Sequence, residues 1–262
     1  MTQAKLLFWG ARGLYLGSAF GLRAHRNAVA VLAISLDMPA RLARDPVHAA
    51  AGYVAFRTAL IPPNTLHHLC SPDGNRMAFV YVDALSTDYP QLHPAMRSCE
   101  PRFGLGHVAE GPLIKNLLAL AGDARWSEVR DELSGLLGFS SRCEPDLRIA
   151  GALKRLHAAP SDTNGLAHVA GQTQLSPSRF LHLFKTQTGV PFRRYRTWVR
   201  IGAALKSMRM GVSLTEAAHD AGFSSSAHFS TTFTEMFGLP PSRLAMPRGS
   251  AAATAVQAAV HS

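Results

Sequence analysis

The chain has 262 residues, 47% of them hydrophobic and 17% charged, with a formal net charge of +10. That length suits one large domain or two small ones, each able to bury a core. Its longest apolar run, Ala28–Leu36, is far short of the about 20 residues a membrane-spanning helix needs, and the opening MTQAKLLFWGARGLYLG, with Lys5 and Arg12 inside its apolar stretch, makes a poor signal peptide.

Cys70, Cys99 and Cys143 are widely separated and form no CxxC pair. They are expected to be buried or inert free thiols, which places the chain in a reducing cytoplasm, near the nucleoid if it binds DNA. The charge is unevenly spread. Residues 145–262 carry 13 Lys/Arg against 5 Asp/Glu, whereas residues 1–144 carry 14 against 12. Basic charge gathered on one domain is the footprint of a polyanion binder.

Along residues 1–90 short apolar runs alternate with Gly, Pro, Asn and Asp. Ala28–Leu36, Tyr53–Ile61 and Met77–Val82 are predicted strands, and Pro62–Asn64 and Ser71–Gly74 are predicted turns. This pattern points to a small antiparallel β-sandwich or barrel. From Gly111 the apolar period becomes helical, with Leu113, Leu117 and Leu118, then Trp126, Val129 and Leu133. Asp123 is the predicted cap of the second of these helices. They either link domains, form a dimer face or pack on the sheet. A third helix is predicted over Pro145–His157, and the Ala/Ser-rich tail after Pro247 has no evident core.

Residues 166–240 hold one pattern twice. Leu166, Ala170 and Ser176 recur 48 residues later as Leu214, Ala218 and Ser224. Phe180, Phe184, Gly189 and Pro191 recur 49 residues later as Phe229, Phe233, Gly238 and Pro240. A period of this size marks a supersecondary unit used twice. In the first copy a short helix carries Leu166, Val169 and Ala170 on one face. Ser176 and Pro177 then form an N-cap and first helical residue, and Phe180, Leu183 and Phe184 line one side of the next helix. Gly189 is the predicted stop. In the second copy Ser213–Glu216 is a capping-box signature. Both copies read as helix-turn-helix units, whose second helix enters a major groove.

The outward residues of the first unit are Ser178, Arg179, Leu181, His182 and Lys185; those of the second are Ser226, Ala227, Ser230 and Thr231, with Thr234 beyond. Between them PFRRYRTWVRIGAALKSMRMG predicts a long helix from Phe192 to Arg209, roughly 27 Å at 1.5 Å per residue. Arg193 and Arg194 near its start are further candidate DNA contacts, while Arg200 could equally pair inside the domain.

The stretch from Leu166 to Arg243, with LSPSRFLHLFKTQTGVPF, the Tyr195–Arg200–Ala204–Leu205 spacing and GFSSSAHFSTTFTEMFGLPPSRL, resembles the DNA-binding domain of AraC/XylS-type transcription regulators. The resemblance covers about 30% of the chain. It implies a monomeric seven-helix unit that sets two recognition helices in adjacent major grooves, and a promoter-binding activator or repressor. Such domains commonly carry Arg or Lys late in the second recognition helix, where this chain has FSTTFT. The first unit is therefore expected to dominate affinity.

The segments HRNAVAVLAISL, GYVAFRTALIPPNTLHHL and GNRMAFVYVD are more loosely similar to the cupin-like sensory domain of some regulators of that family. His25, Tyr53, Phe56, His67 and Tyr81 are the candidate effector-pocket residues. No metal site is expected, because His25 is followed two residues later by Asn27 instead of a second His, and no Glu lies nearby to complete a set with His67 and His68.

The fold class expected is α+β: a cupin-like antiparallel sandwich or barrel with helices over 1–110, a helical linker or dimerisation region over 111–158, an all-α domain with two helix-turn-helix motifs joined by a long helix over 159–246, and an unstructured tail over 247–262. The expected partner is double-stranded DNA, with RNA polymerase, a small-molecule effector and a second copy compatible with it, and no cofactor or enzymatic activity. The alternative is a metal-dependent cupin enzyme with a DNA-binding tail. A DNA-repair alkyl transferase would need cysteine spacing this chain lacks, and a partner-binding protein acting through 111–157 would need no ligand.

Overall fold

The computed structural model describes residues 4–9, 12–19, 21–47, 52–82, 88–100, 102–139, 146–162, 164–188 and 190–243. Gly189, Cys143, Pro145 and the 247–262 tail lie outside the described residues. The chain divides into two compact units, one of Met1–Cys143 with Met236–Leu239, the other of Glu144–Glu235 with Pro240–Ser262.

The first unit is β-rich. Its strands are β1 (Lys5–Trp9), β2 (Arg12–Ser18), β3 (His25–Arg26), β4 (Ala30–Ser35), β5 (Ala40–Ala43), β6 (Tyr53–Phe56), β7 (Thr58–Ile61), β8 (Leu66–His67), β9 (Leu69–Cys70) and β10 (Arg76–Val82). After the short helix α1 (Asp88–Leu92) come β11 (Met96–Glu100) and β12 (Phe103–His107), then helices α2 (Glu110–Ala121) and α3 (Trp126–Leu136). Seven strands form an antiparallel sheet in the order β1-β2-β10-β4-β7-β12-β11; β6-β5-β9 and β3-β8 form smaller sheets.

Strand β4 pairs on both edges and all six of its residues are buried. That is why its sequence is a continuous apolar run with no alternation. Its Ala30, Leu32 and Ile34 join Leu14, Leu16, Ala78 and Val80 in one core with Leu113, Leu117 and Leu120 of α2 and Val129 and Leu133 of α3. Trp9 meets Trp126 edge-on at 5.0 Å. Helices α2 and α3 thus complete the core of the sheet unit, and the expected linker over 111–158 is divided between the two units.

Two local expectations change. Tyr53–Ile61 is not one strand: it breaks at Arg57, whose guanidinium donates to the carbonyls of Ser35 (2.8 Å) and Leu36 (2.7 Å), so β6 joins the small sheet and β7 the large one. Asp123 does not cap α3. The helix starts at Trp126, and the Glu128 carboxylate accepts from the Arg125 backbone N–H at 3.1 Å. Both predicted turns are present, with Asn64 and Gly74 in the left-handed region. The thiols also differ from expectation: Cys99 is exposed and Cys70 half-buried.

The second unit is helical: α4 (Leu147–Ala158), α5 (Leu166–Gly171), α6 (Pro177–Thr188), α7 (Phe192–Arg209), α8 (Leu214–Asp220) and α9 (Ser226–Phe237), with a 3₁₀ turn at Pro241–Arg243. Phe180, Phe184, Phe192 and Tyr195 form an aromatic cluster with ring separations of 5.2–5.8 Å. Helix α4 is tied to it by a 2.9 Å hydrogen bond between His157 Nε2 and the Tyr195 hydroxyl. Arg200 pairs internally, donating to the carbonyls of Pro160 (3.0 Å) and Asp162 (3.1 Å).

Candidate nucleic-acid interface

Each reading helix is set by a turn and a serine cap. In the first unit Ser176 Oγ accepts from the Arg179 N–H at 3.3 Å. Gln174, at φ 58°, turns the chain out of α5. In the second, Gly222 at φ 85° does the same. A Cβ there would lie 3.1 Å from Ser161 Cα and 3.2 Å from the Arg200 guanidinium, so this turn requires glycine on two counts. The cap of α9 is Ser225, whose Oγ accepts from the His228 N–H at 3.0 Å. Ser176 therefore corresponds to Ser225, not Ser224, and Ser224 is the inserted residue between the 48- and 49-residue offsets. Its hydroxyl instead meets His228 Nδ1 at 3.0 Å.

Replacing Ser176 by Ala leaves an N–H of the first turn unsatisfied. The expected loss is about 1 kcal/mol of stability in the helical unit, read as a lower urea midpoint at constant slope.

The two inner faces match. Phe180 and Phe184 in α6, and Phe229 and Phe233 in α9, are all essentially inaccessible. The outer faces do not match. On α6, Ser178, Arg179, Leu181, His182 and Lys185 are all exposed. On α9, Ala227 and Thr231 are exposed, but Ser226 and Ser230 are half-buried. Ser230 Oγ donates to the Ser226 carbonyl and Thr234 Oγ1 to the Ser230 carbonyl, each at 2.8 Å. Those hydroxyl protons are spent on the helix itself. The exposed stripe of α9 is instead Ala227, His228, Thr231 and Glu235. His228, absent from the predicted outward set of the second copy, stands 49 residues after Arg179 and takes its place on the helix, and Glu235 puts an anion where α6 has Thr186. Arg193 is exposed and Arg194 half-buried at the start of α7, whose bounds are those predicted.

The candidate effector residues are spread over three sheets. His25 and His67 are cross-strand partners in β3 and β8, buried, with ring centroids 4.2 Å apart. Phe56 is buried and Tyr53 exposed on the small three-stranded sheet, and Tyr81 is half-buried on β10 of the large one. His67 Nδ1 lies 2.9 Å from the Thr65 carbonyl and Nε2 lies 3.3 Å from Asn27 Nδ2, which fits a neutral ring donating from Nδ1 and accepting at Nε2. Burial, and then the charge of His25, hold the His67 pKa down to about 3. The unfolded chain takes up this proton near pH 6.5 and the folded chain does not. Stability is therefore full above pH 6.5 and is lost as pH falls towards 3. Between pH 7 and 5.5 the sheet unit is expected to lose about 1 kcal/mol by this route, seen as a urea midpoint that falls with pH and falls less in His67→Phe. Among the described residues no group of three or more His, Cys, Asp or Glu is placed to hold a metal ion.

Residues 169–246 match the family described as a helix-turn-helix domain. They form an AraC-type helix-turn-helix domain. Over 82 residues the chain is 38% identical to the uncharacterized transcriptional regulatory protein YesN of Bacillus subtilis, a match that spans 30% of this chain and 22% of YesN. Across both units the fold is similar to that of ToxT from Vibrio cholerae, with a TM-score of 0.55 at 15% identity over 91% of this chain and 98% of ToxT. An unsaturated fatty acid bound form of wild-type ToxT is similar to the same degree, with a TM-score of 0.54 at 14% identity over 94% of this chain and 99% of that one. At such identity the likeness to ToxT is one of fold: a β-rich amino-terminal unit followed by an AraC-type helical one. No helix among the described residues is long and apolar enough to cross a membrane.

Proposed function

We propose that the chain is a sequence-specific transcription regulator whose two AraC-type helix-turn-helix units read adjacent major grooves of one DNA duplex, acting at a promoter beside RNA polymerase. The observation that supports this most is the pair of capped twelve-residue helices, α6 and α9, each with a buried aromatic face and an open polar one, joined by the 18-residue α7. A connector of roughly 27 Å plus the width of the flanking units suits successive groove faces about 34 Å apart. The DNA-facing residues are Ser178, Arg179, Leu181, His182, Lys185, Arg193 and Arg194 in the first half, and Ala227, His228 and Thr231, with Ser226 and Ser230 beside them, in the second. Lys185 and the arginines position the protein on phosphates, His182 and Thr231 offer hydrogen bonds to base edges, and Leu181 and Ala227 suit thymine methyls.

The β-rich unit, residues 1–110 with the helices that follow, takes a small-molecule effector that sets the regulator's activity. A bound fatty acid in ToxT supports a small-molecule role for a unit of this fold. The metal-dependent enzyme reading has no ligand cluster to support it among the described residues.

Genome-wide occupancy of the tagged protein, followed by hydroxyl-radical footprinting of one occupied site, tests the proposal. Two protected segments on one face of the duplex, centred about one helical turn apart, are expected. A single protected segment would limit the reading to one unit, and the absence of any preferred site would overturn it.

A further inference from the structure

One face of the small sheet β6-β5-β9 carries the exposed Tyr53, Ala55 and Arg41 and the half-buried Cys70, with the buried Ala43 in the same register and the half-buried His68 beside them. The opposite face carries the buried Phe56, Leu42 and Leu69. Tyr53 stands across from Ala43, and the Ala43 N–H in turn bonds the His68 carbonyl at 2.9 Å. The Tyr53 hydroxyl lies 2.8 Å from His68 Nδ1. The other ring nitrogen, Nε2, lies 3.7 Å from Cys70 Sγ. Arg41 is the cross-strand partner of Cys70, and its guanidinium lies 5.8 Å from the Tyr53 ring. A nucleophile, a base and a group that orients the base are in line, with a cation alongside.

We propose that Cys70 is an activated thiol that reacts with hydrogen peroxide, His68 serving as its base and Tyr53 as the positioning residue. His68 Nε2 takes the thiol proton while Nδ1–H donates to the Tyr53 oxygen. The imidazolium so formed, its Nε2 3.7 Å from the sulfur, pairs with the thiolate. The thiolate attacks one peroxide oxygen. The S–O bond forms as the O–O bond breaks, sulfur is oxidised by two electrons to sulfenic acid, and the peroxide is reduced. The departing hydroxide takes the proton from His68 Nε2 and leaves as water. A small neutral oxidant suits an open sheet face, since its selectivity comes from thiolate character and exposure, not from a cavity. Partial desolvation raises the Tyr53 pKa, as does the neighbouring Cys70 sulfur, which keeps the phenol neutral.

The molecule holds its own reference. Cys99 is exposed and lies 3.9 Å from His93 Nε2, yet the nearby Tyr89 meets the His93 ring only edge-on, with centroids 6.4 Å apart. Among the described residues Cys99 has the base without a hydrogen-bonded orienting group.

The test gives the full-length chain a pulse of equimolar hydrogen peroxide, traps sulfenic acid with dimedone, and compares the Cys70 and Cys99 peptides by mass spectrometry from pH 5.5 to 9. Cys70 is expected to react about ten-fold faster than Cys99 at pH 7, with its rate extending to lower pH. His68→Gln should bring Cys70 to the level of Cys99, and Tyr53→Phe should move its pH profile towards alkaline values. Equal rates at the two cysteines of the unmodified chain, or rates at Cys70 unaffected by both substitutions, would overturn the proposal. Neither result depends on DNA binding.

Discussion

Phe184→Ala is expected to destabilise the helical unit by about 3–5 kcal/mol. Phe184 is fully buried in α6 and stands among three other rings, Phe192 at 5.2 Å, Tyr195 at 5.6 Å and Phe180 at 5.8 Å. Truncation removes the transfer energy of the ring and leaves a cavity walled by rigid aromatics. These cannot close around it without breaking the edge-to-face contacts, and Tyr195 is further held by its hydroxyl to His157. The same helix supplies the control. Leu181 is 38% exposed, and Leu181→Ala should change stability by about 0.5 kcal/mol or less. Urea unfolding followed through Trp198, which lies in α7, measures both. Equal midpoints for the two variants would show that the aromatic cluster does not hold the unit together.

The second large effect concerns DNA. If Lys185, Arg179, Arg193 and Arg194 each displace a counterion, affinity should fall about 100-fold between 50 and 200 mM salt, since each phosphate contact contributes about 0.9 to the slope of log K against log salt. Lys185→Ala should lower affinity about ten-fold at fixed salt and reduce that slope by about 0.9. Binding that does not change between low and moderate salt would contradict the phosphate-anchored reading. A Lys185→Ala slope equal to that of the unmodified chain would remove Lys185 from the phosphate contacts.

Where structure is decided locally, the sequence is a reliable guide. Ser176-Pro177 starts α6, and α7 begins at Phe192 directly after Pro191, because caps and prolines act within one turn. The core of both reading helices follows from phenylalanines four apart. What was not legible depends on partners far along the chain. The break between β6 and β7 is made by Arg57 bonding to Ser35 and Leu36, about twenty positions earlier. The withdrawal of Ser230 and Thr234 from the outward face of α9 comes from their hydroxyls folding back on their own helix, a choice that composition does not show. The candidate pocket residues lie on three different sheets, with His67 buried against His25 and Tyr53 turned outward to His68, an arrangement set by strand pairing and not by residue type. The one-residue slip between Ser224 and Ser225 likewise needed the cap hydrogen bond to resolve.

Taken with the comparison of outward faces, these details sharpen the division of labour in the proposed grip. The outward face of the first unit carries Arg179, His182 and Lys185, whereas that of the second carries Ala227, His228 and Thr231, with Glu235 at its far end. The most direct measurement is a DNA-binding titration at one fixed salt concentration comparing His182→Ala with Thr231→Ala on a footprinted site. The larger loss is expected from His182→Ala, by about 1–2 kcal/mol against less than about 1 kcal/mol for Thr231→Ala. A larger loss from Thr231→Ala would contradict the uneven grip.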